Sequence, residues 1–224
     1  MVGNMRYPIS LTMLCWGFRL VVQCPSLNNT TAQTFQHQED ALVEFGGKAK
    51  LSPKTTRSVR IPASVANCPG KISAAIFEDG TVYGDQDSLE YLYDQRKGTY
   101  LGVSFAKNLV DQLPPGADLS GAADALDAQR AKVTSNRTVS VSTWSGQIAT
   151  LSYLASVLRG GNETHVPSDD TPRRQPFIND LATTAHIPRS QAQVSIMRKK
   201  LYEWIAALEG NIEMPSAITS STTF

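Results

Sequence analysis

The sequence predicts an α+β fold, a small antiparallel β-sheet or partial sandwich followed by a mostly helical region. Three observations carry that expectation. Ile72–Asp85, ISAAIFEDGTVYGD, reads as strand, tight turn and strand. Before it, apolar and polar residues alternate at Val59, Ile61, Ala63 and Val65. After it, separate stretches as far as Leu208 carry apolar residues every three or four positions. The boundaries that follow are an N-terminal segment over 1–40, a β region over 41–85, a helical region over 86–210 and a flexible tail over 211–224.

Ile9–Cys24 is the most apolar run, with Arg6 ahead of it as in a charged leader region. It reads as an export signal, as a mis-assigned start with Met5 or Met13 as the initiator, or as a buried first strand. Arg19 interrupts it, so no uninterrupted piece is long enough to span a bilayer. Pro25–Asp40 is polar and Gln-rich and reads as a linker. Asn28, Asn29, Asn136 and Asn162 each open an N-x-Ser/Thr pattern, which matters only on a eukaryotic secretory route.

Ala41–Phe45 reads as a short strand, and Lys50–Val65 as a second region of strand character. Pro53, Pro62 and Pro69 make edge or interrupted strands of this region. In the central stretch Asp79-Gly80 predicts a two-residue hairpin turn with positive φ at both positions. Asp85 is placed to cap a helix starting near Gln86, because its carboxylate can accept from first-turn amides.

Leu89, Leu92, Tyr93, Arg96 and Tyr100 fall at helical spacing, continued by Leu101, Phe105, Leu109 and Leu113. Gly98 and Gly102 weaken the middle, and Pro114-Pro115 ends the element. Further helices are expected over Asp118–Val133, Thr143–Leu158 and, briefly, Phe177–Ala185, with a polar loop over Asn162–Gln175. Ser190–Glu209 is the clearest helix, with Val194, Met197, Leu201, Trp204, Ile205 and Leu208 along one stripe and Gly210 as its stop.

Composition bounds the function. The chain has 224 residues, 41% hydrophobic and 18% charged, as ordinary globular proteins do. Its net charge of +1 offers no general attraction to nucleic acid or an anionic membrane. Cys15, Cys24 and Cys68 lie far apart and form no C-x-x-C pair, so no zinc site is readable. One disulfide with a leftover thiol forms only in an oxidising compartment.

Leu51–Asp85 places Pro, Thr and Arg before an alternating strand, then Phe77-Glu78-Asp79-Gly80-Thr81 and Gly84-Asp85. This passage resembles a group of uncharacterised bacterial proteins of acidobacterial type, over roughly residues 50–110. There an F-E-D-G-T-x-x-G-D hairpin closes a β part and an acidic helix follows, as Leu89, Leu92 and Arg96 do here. The resemblance implies an Ig-like β part joined to helices, often in exported proteins, and implies no activity. Residues 1–50 depart from the pattern, being short and polar for a whole sandwich.

Candidate sites are few. Glu78, Asp79, Asp85 and Asp87, with Glu90 nearby, supply the carboxylates a hard cation would want. Turn and cap chemistry explains the same residues, and no metal or cofactor is expected. His37, His165 and His186 lie in polar stretches, and Trp144-Ser145-Gly146 is a nucleophile elbow without its first glycine. Gly46-Gly47 and Gly160-Gly161 have no Lys-Ser/Thr after them, so no phosphate cradle is expected.

Residues 179–204 faintly resemble a helix-turn-helix, which would aim Arg189, Arg198, Lys199 and Lys200 at phosphates. His186 at the turn position, the long second helix and the near-zero net charge favour a solvated basic face instead. The apolar stripe of helix 190–209 is expected to be core, or else a surface for a protein partner or a second copy. The expected function is a non-enzymatic bacterial protein with an interaction or structural role, exported rather than cytoplasmic. The alternatives are a DNA-binding regulator and a hydrolase without a recognisable motif.

Overall fold

The computed structural model describes residues 5–10, 13–25, 33–43, 51–54, 56–159 and 189–215. The architecture is α+β, with six strands and four α-helices among the described residues. The strands are β1 (Met5–Ser10), β2 (Cys15–Gln23), β3 (Thr34–Asp40), β4 (Thr56–Ile61), β5 (Gly70–Phe77) and β6 (Val82–Gly84). The helices are α1 (Gln86–Asp111), α2 (Ser120–Ser135), α3 (Val141–Leu158) and α4 (Arg189–Glu209). The chain divides into two compact units, Met1–Tyr93 with Glu213–Phe224 and Asp94–Ile212, the division falling inside α1.

The first unit holds a four-stranded antiparallel sheet in the order β3-β2-β5-β6 and a two-stranded sheet of β1 and β4. Phe18, Leu20 and Val22 of β2 and Ala75 and Phe77 of β5 share a core with Val59 and Ile61 of β4. That is the period-two face of a strand buried against a second sheet. On the opposite face Ala74 and Ile76 meet Val82 and, from the first turns of α1, Leu89, Leu92 and Tyr93. The large sheet is thus buried on both sides near β5.

Residues 1–40 correct the expected boundaries. Three strands lie there, and β2 runs through the interior of the sheet, paired with β3 and β5. The apolar run read as a leader or a buried strand is the strand. The run read as a linker contains β3, paired from Gln23↔Thr34 to Gly17↔Asp40 without a register shift. Ala41–Phe45 is not a strand at Ala41–Val43, which form a turn. Asp40 starts it: its carboxylate accepts from the Leu42 amide at 2.9 Å and its carbonyl from the Val43 amide at 3.1 Å. An Asp that bonds the backbone two residues on ends a strand rather than extending one.

The central hairpin forms, with a different turn. The Gly80 amide donates to the Phe77 carbonyl at 3.2 Å, and the Phe77 amide donates to the Thr81 carbonyl at 2.9 Å. Within the turn, Gly80 has positive φ, at 84°, and Asp79 does not. The connection is therefore a type I turn followed by a left-handed glycine, not the two-residue turn that Asp-Gly suggests.

In the second unit α1 is unbroken through Gly98 and Gly102, because both glycines face α3. A Cβ on Gly98 would lie 2.0 Å from the Thr143 carbonyl oxygen, and one on Gly102 2.9 Å from the Thr150 side chain. Gly146 of α3 faces the Gln95 carbonyl in the same way, at 2.6 Å. Small residues here let two helix backbones approach closely. The consequence is a change of phase: Val103, Ala106 and Val110 are buried, whereas Leu101 is 36% exposed and Phe105 and Leu109 are half-buried. Residues 177–185, where a short helix was expected, lie outside the described residues.

Candidate functional site

The hairpin acids hold the backbone. Asp79 Oδ1 accepts from the Thr81 amide at 2.9 Å and the Thr81 hydroxyl at 2.7 Å. The hydroxyl bond, then the amide bond, holds its carboxyl below the usual carboxylate range. Asp85 Oδ1 accepts from the Ser88 amide at 2.8 Å, which makes Asp85 the N-cap of α1 as expected. Asp87 lies in the first turn of that helix, where a negative charge suits the helix dipole. Glu78 is exposed in the turn. Among the described residues, no three His, Cys, Asp or Glu side chains come together as a metal-ligand set.

The same junction shows what joins sheet to helix. Ser73 is the extra residue of a bulge in β5, since Arg19 pairs with Ala74 and Leu20 with Ile72. Its carbonyl accepts from the Asp85 amide at 3.0 Å, and its hydroxyl lies 3.1 Å from that of Ser88. Gly84, with φ of 127°, passes so close that a Cβ would lie 2.1 Å from the Ser73 carbonyl oxygen. Glycine is required there by both conformation and space.

Of the basic residues in the helix-turn-helix reading, Arg198 is held within the chain. Arg198 turns inward. Its guanidinium donates to the carbonyls of Leu113 at 2.6 Å, Val110 at 3.1 Å and Asp111 at 3.2 Å, at the end of α1. It thereby satisfies carbonyls that the end of a helix leaves without partners. Lys199 and Lys200 are on the surface, 3.9 and 3.4 Å from Glu203. Arg189 opens α4, and residues 179–188 lie outside the described residues, as do His165 and His186. The α4 stripe is core: Val194, Met197, Leu201, Trp204, Ile205 and Leu208 are all buried. The expected partner or second-copy surface on 190–209 is corrected accordingly, because that stripe is already covered by the chain itself.

Sequence reasoning left the cysteine pairing open. Cys24, just past β2, is disulfide-bonded to Cys68, just before β5, across a sequence separation of 44. Cys15 is buried and lies outside the disulfide, with its sulfur 3.0 Å from the Gly17 carbonyl oxygen. The signal that could have found the pair is positional: both cysteines flank strands that prove to be neighbours.

At the other side of β2 is β3, the outer strand of the sheet. His37 Nε2 and Glu39 Oε1 lie 3.1 Å apart on its sandwich face. On the opposite face Gln36 Oε1 accepts from the Arg19 guanidinium at 2.6 Å, and that guanidinium lies 4.3 Å from the centre of the Tyr91 ring. No helix among the described residues is long and apolar enough to cross a membrane. No family model, no curated protein and no solved structure matches the chain.

Proposed function

We propose that this is an exported bacterial protein with a non-catalytic interaction role, built around a disulfide-stapled β unit. The observation that carries the export reading is the Cys24–Cys68 bond. Disulfides persist in oxidising compartments and are rare in a reducing cytosol. In the chain-entropy description, closing a loop of this length stabilises the fold by about 4 kcal/mol. Bacterial origin rests on the resemblance of Leu51–Asp85.

The interaction reading is supported by what the polar side chains do. Asp79, Asp85, Asp40 and Arg198 all hold turns or helix ends, and Ser140 caps α3 by accepting from the Thr143 amide at 3.1 Å. Groups engaged in this way have little freedom to move protons or attack a substrate. The test is fractionation of the native host with immediate acid quenching and alkylation. Disulfide-bonded chain in the periplasmic or extracellular fraction supports the reading, and reduced chain confined to the cytoplasm contradicts it.

A further inference from the structure

We infer that the outer edge of β3 is an interface between two copies of this chain, formed by antiparallel pairing of β3 with its symmetry mate. This inference rests on the interaction reading above and gives it a surface and a partner.

The phase of the ladder decides which backbone groups face outward. The Cys24 amide donates to the Gln33 carbonyl at 2.9 Å and the Ala41 amide to the Trp16 carbonyl at 2.8 Å. With the regular register between them, Phe35, His37 and Glu39 direct amide and carbonyl toward β2. Thr34, Gln36 and Gln38 therefore direct theirs away from the sheet, and Thr34 and Gln36 are exposed. An outer strand with such a row is a template for another strand unless something guards it.

Among the described residues the other outer strands carry guards and β3 does not. β6 has only three residues, β1 contains Pro8, and β4 contains Arg57 and Arg60. β3 is TFQHQED, with neither proline nor lysine and no bulge against β2. Its acids are confined to its C-terminal end, and Glu39 is engaged by His37.

The strand is also complementary to itself. A two-fold axis through Gln36 sets Gln36 opposite Gln36 of the second copy and Thr34 opposite Gln38, each pair exchanging both backbone bonds. Phe35 then lies opposite His37 at the closer spacing, where an aromatic cross-strand pair contributes most. Glu39 falls opposite Gln33, so no like charges meet. A second copy of the chain supplies every residue this register pairs.

Sedimentation velocity of the full chain over a range of concentrations tests it, with Gln38→Pro and Gln36→Lys alongside. The Gln38 amide points outward, so proline there removes an interface bond without removing one to β2. Gln36→Lys sets two positive charges face to face but also removes the Arg19 bond within the chain, so the circular dichroism and melting of the variant monomer are compared with wild type alongside. The expected result is a wild-type dimer with a dissociation constant below roughly 10 µM, weakened at least ~tenfold in both variants, and by salt-dependent repulsion in Gln36→Lys. A wild-type chain that stays monomeric overturns the inference, as does a dimer indifferent to Gln36→Lys. A monomer with its disulfide intact leaves the export reading standing, and a reduced cytoplasmic chain that dimerises through β3 overturns the export reading alone.

Discussion

Arg198 of α4 donates to the Leu113 carbonyl, 2.6 Å away and just past the end of α1. The same guanidinium reaches Val110 and Asp111, so one side chain closes the end of a 26-residue helix. A residue whose sequence context suggested phosphate binding is a helix cap supplied from elsewhere in the chain. Arg198→Ala is expected to destabilise the chain by about 2 kcal/mol, as loss of charged hydrogen bonds to carbonyls does. Arg198→Lys restores less than half, because an ammonium cannot span three carbonyls as a planar fork can. Urea unfolding midpoints of the two variants check this.

Gly98 tests the close approach of α1 and α3. Alanine normally strengthens a helix interior relative to glycine by about 1 kcal/mol. Here its Cβ would meet the Thr143 carbonyl at 2.0 Å, so Gly98→Ala is expected to destabilise instead, by about 2 kcal/mol or more. Gly121, whose Cβ position is open, is the control, and Gly121→Ala is expected to be neutral or stabilising. Thermal melts of both variants read the opposite signs.

Asp79 carries a pH prediction. Its bonds to the Thr81 hydroxyl and amide depress its folded-state pKa. The sign follows: the contribution is present above the unfolded pKa and is lost as pH falls through the folded one. Carboxyl-carbon NMR is expected to show Asp79 titrating below an unstructured Asp, with the shift reduced in Thr81→Ala, which removes the hydroxyl bond and keeps the amide bond. Ordinary titration in the wild type would count against the turn geometry.

Asp85 and Ser73 share the sheet-to-helix junction. Asp85→Ala is expected to cost about 1 kcal/mol, the usual value of an N-cap. Gly84→Ala, which drives a Cβ against the Ser73 carbonyl, is expected to cost more than that and to reduce yield of folded protein. Hydrogen exchange at Ser88 and Leu89 localises the first effect to the start of α1.

What was legible in the sequence was local. The Asp-Gly hairpin, the Asp85 cap, the spans of α2 and α3 and the α4 stripe each depend on residues a few positions apart. The misread parts depend on partners far along the chain. β2 hides its alternation because Trp16 is an extra residue against β5, and because Arg19, pointing away from the sandwich core, interrupts an apolar run. β3 shows a single large apolar residue, Phe35, since its sandwich face is otherwise filled by the His37–Glu39 pair. In α1 the large residues Leu101, Phe105 and Leu109 outranked Val103, Ala106 and Val110, and only the approach of α3 to Gly98 reverses that order. Arg198 looked like a basic surface residue because its acceptors are more than eighty positions away.

The central claim, a disulfide-stapled β unit made for an oxidising compartment, is tested most directly by counting thiols. Native protein is denatured, alkylated before and after reduction, and weighed intact. The account predicts one label before reduction, on Cys15, and three after it, with the bridging peptide joining Cys24 to Cys68. Three labels before reduction, or a bridge involving Cys15, would contradict it.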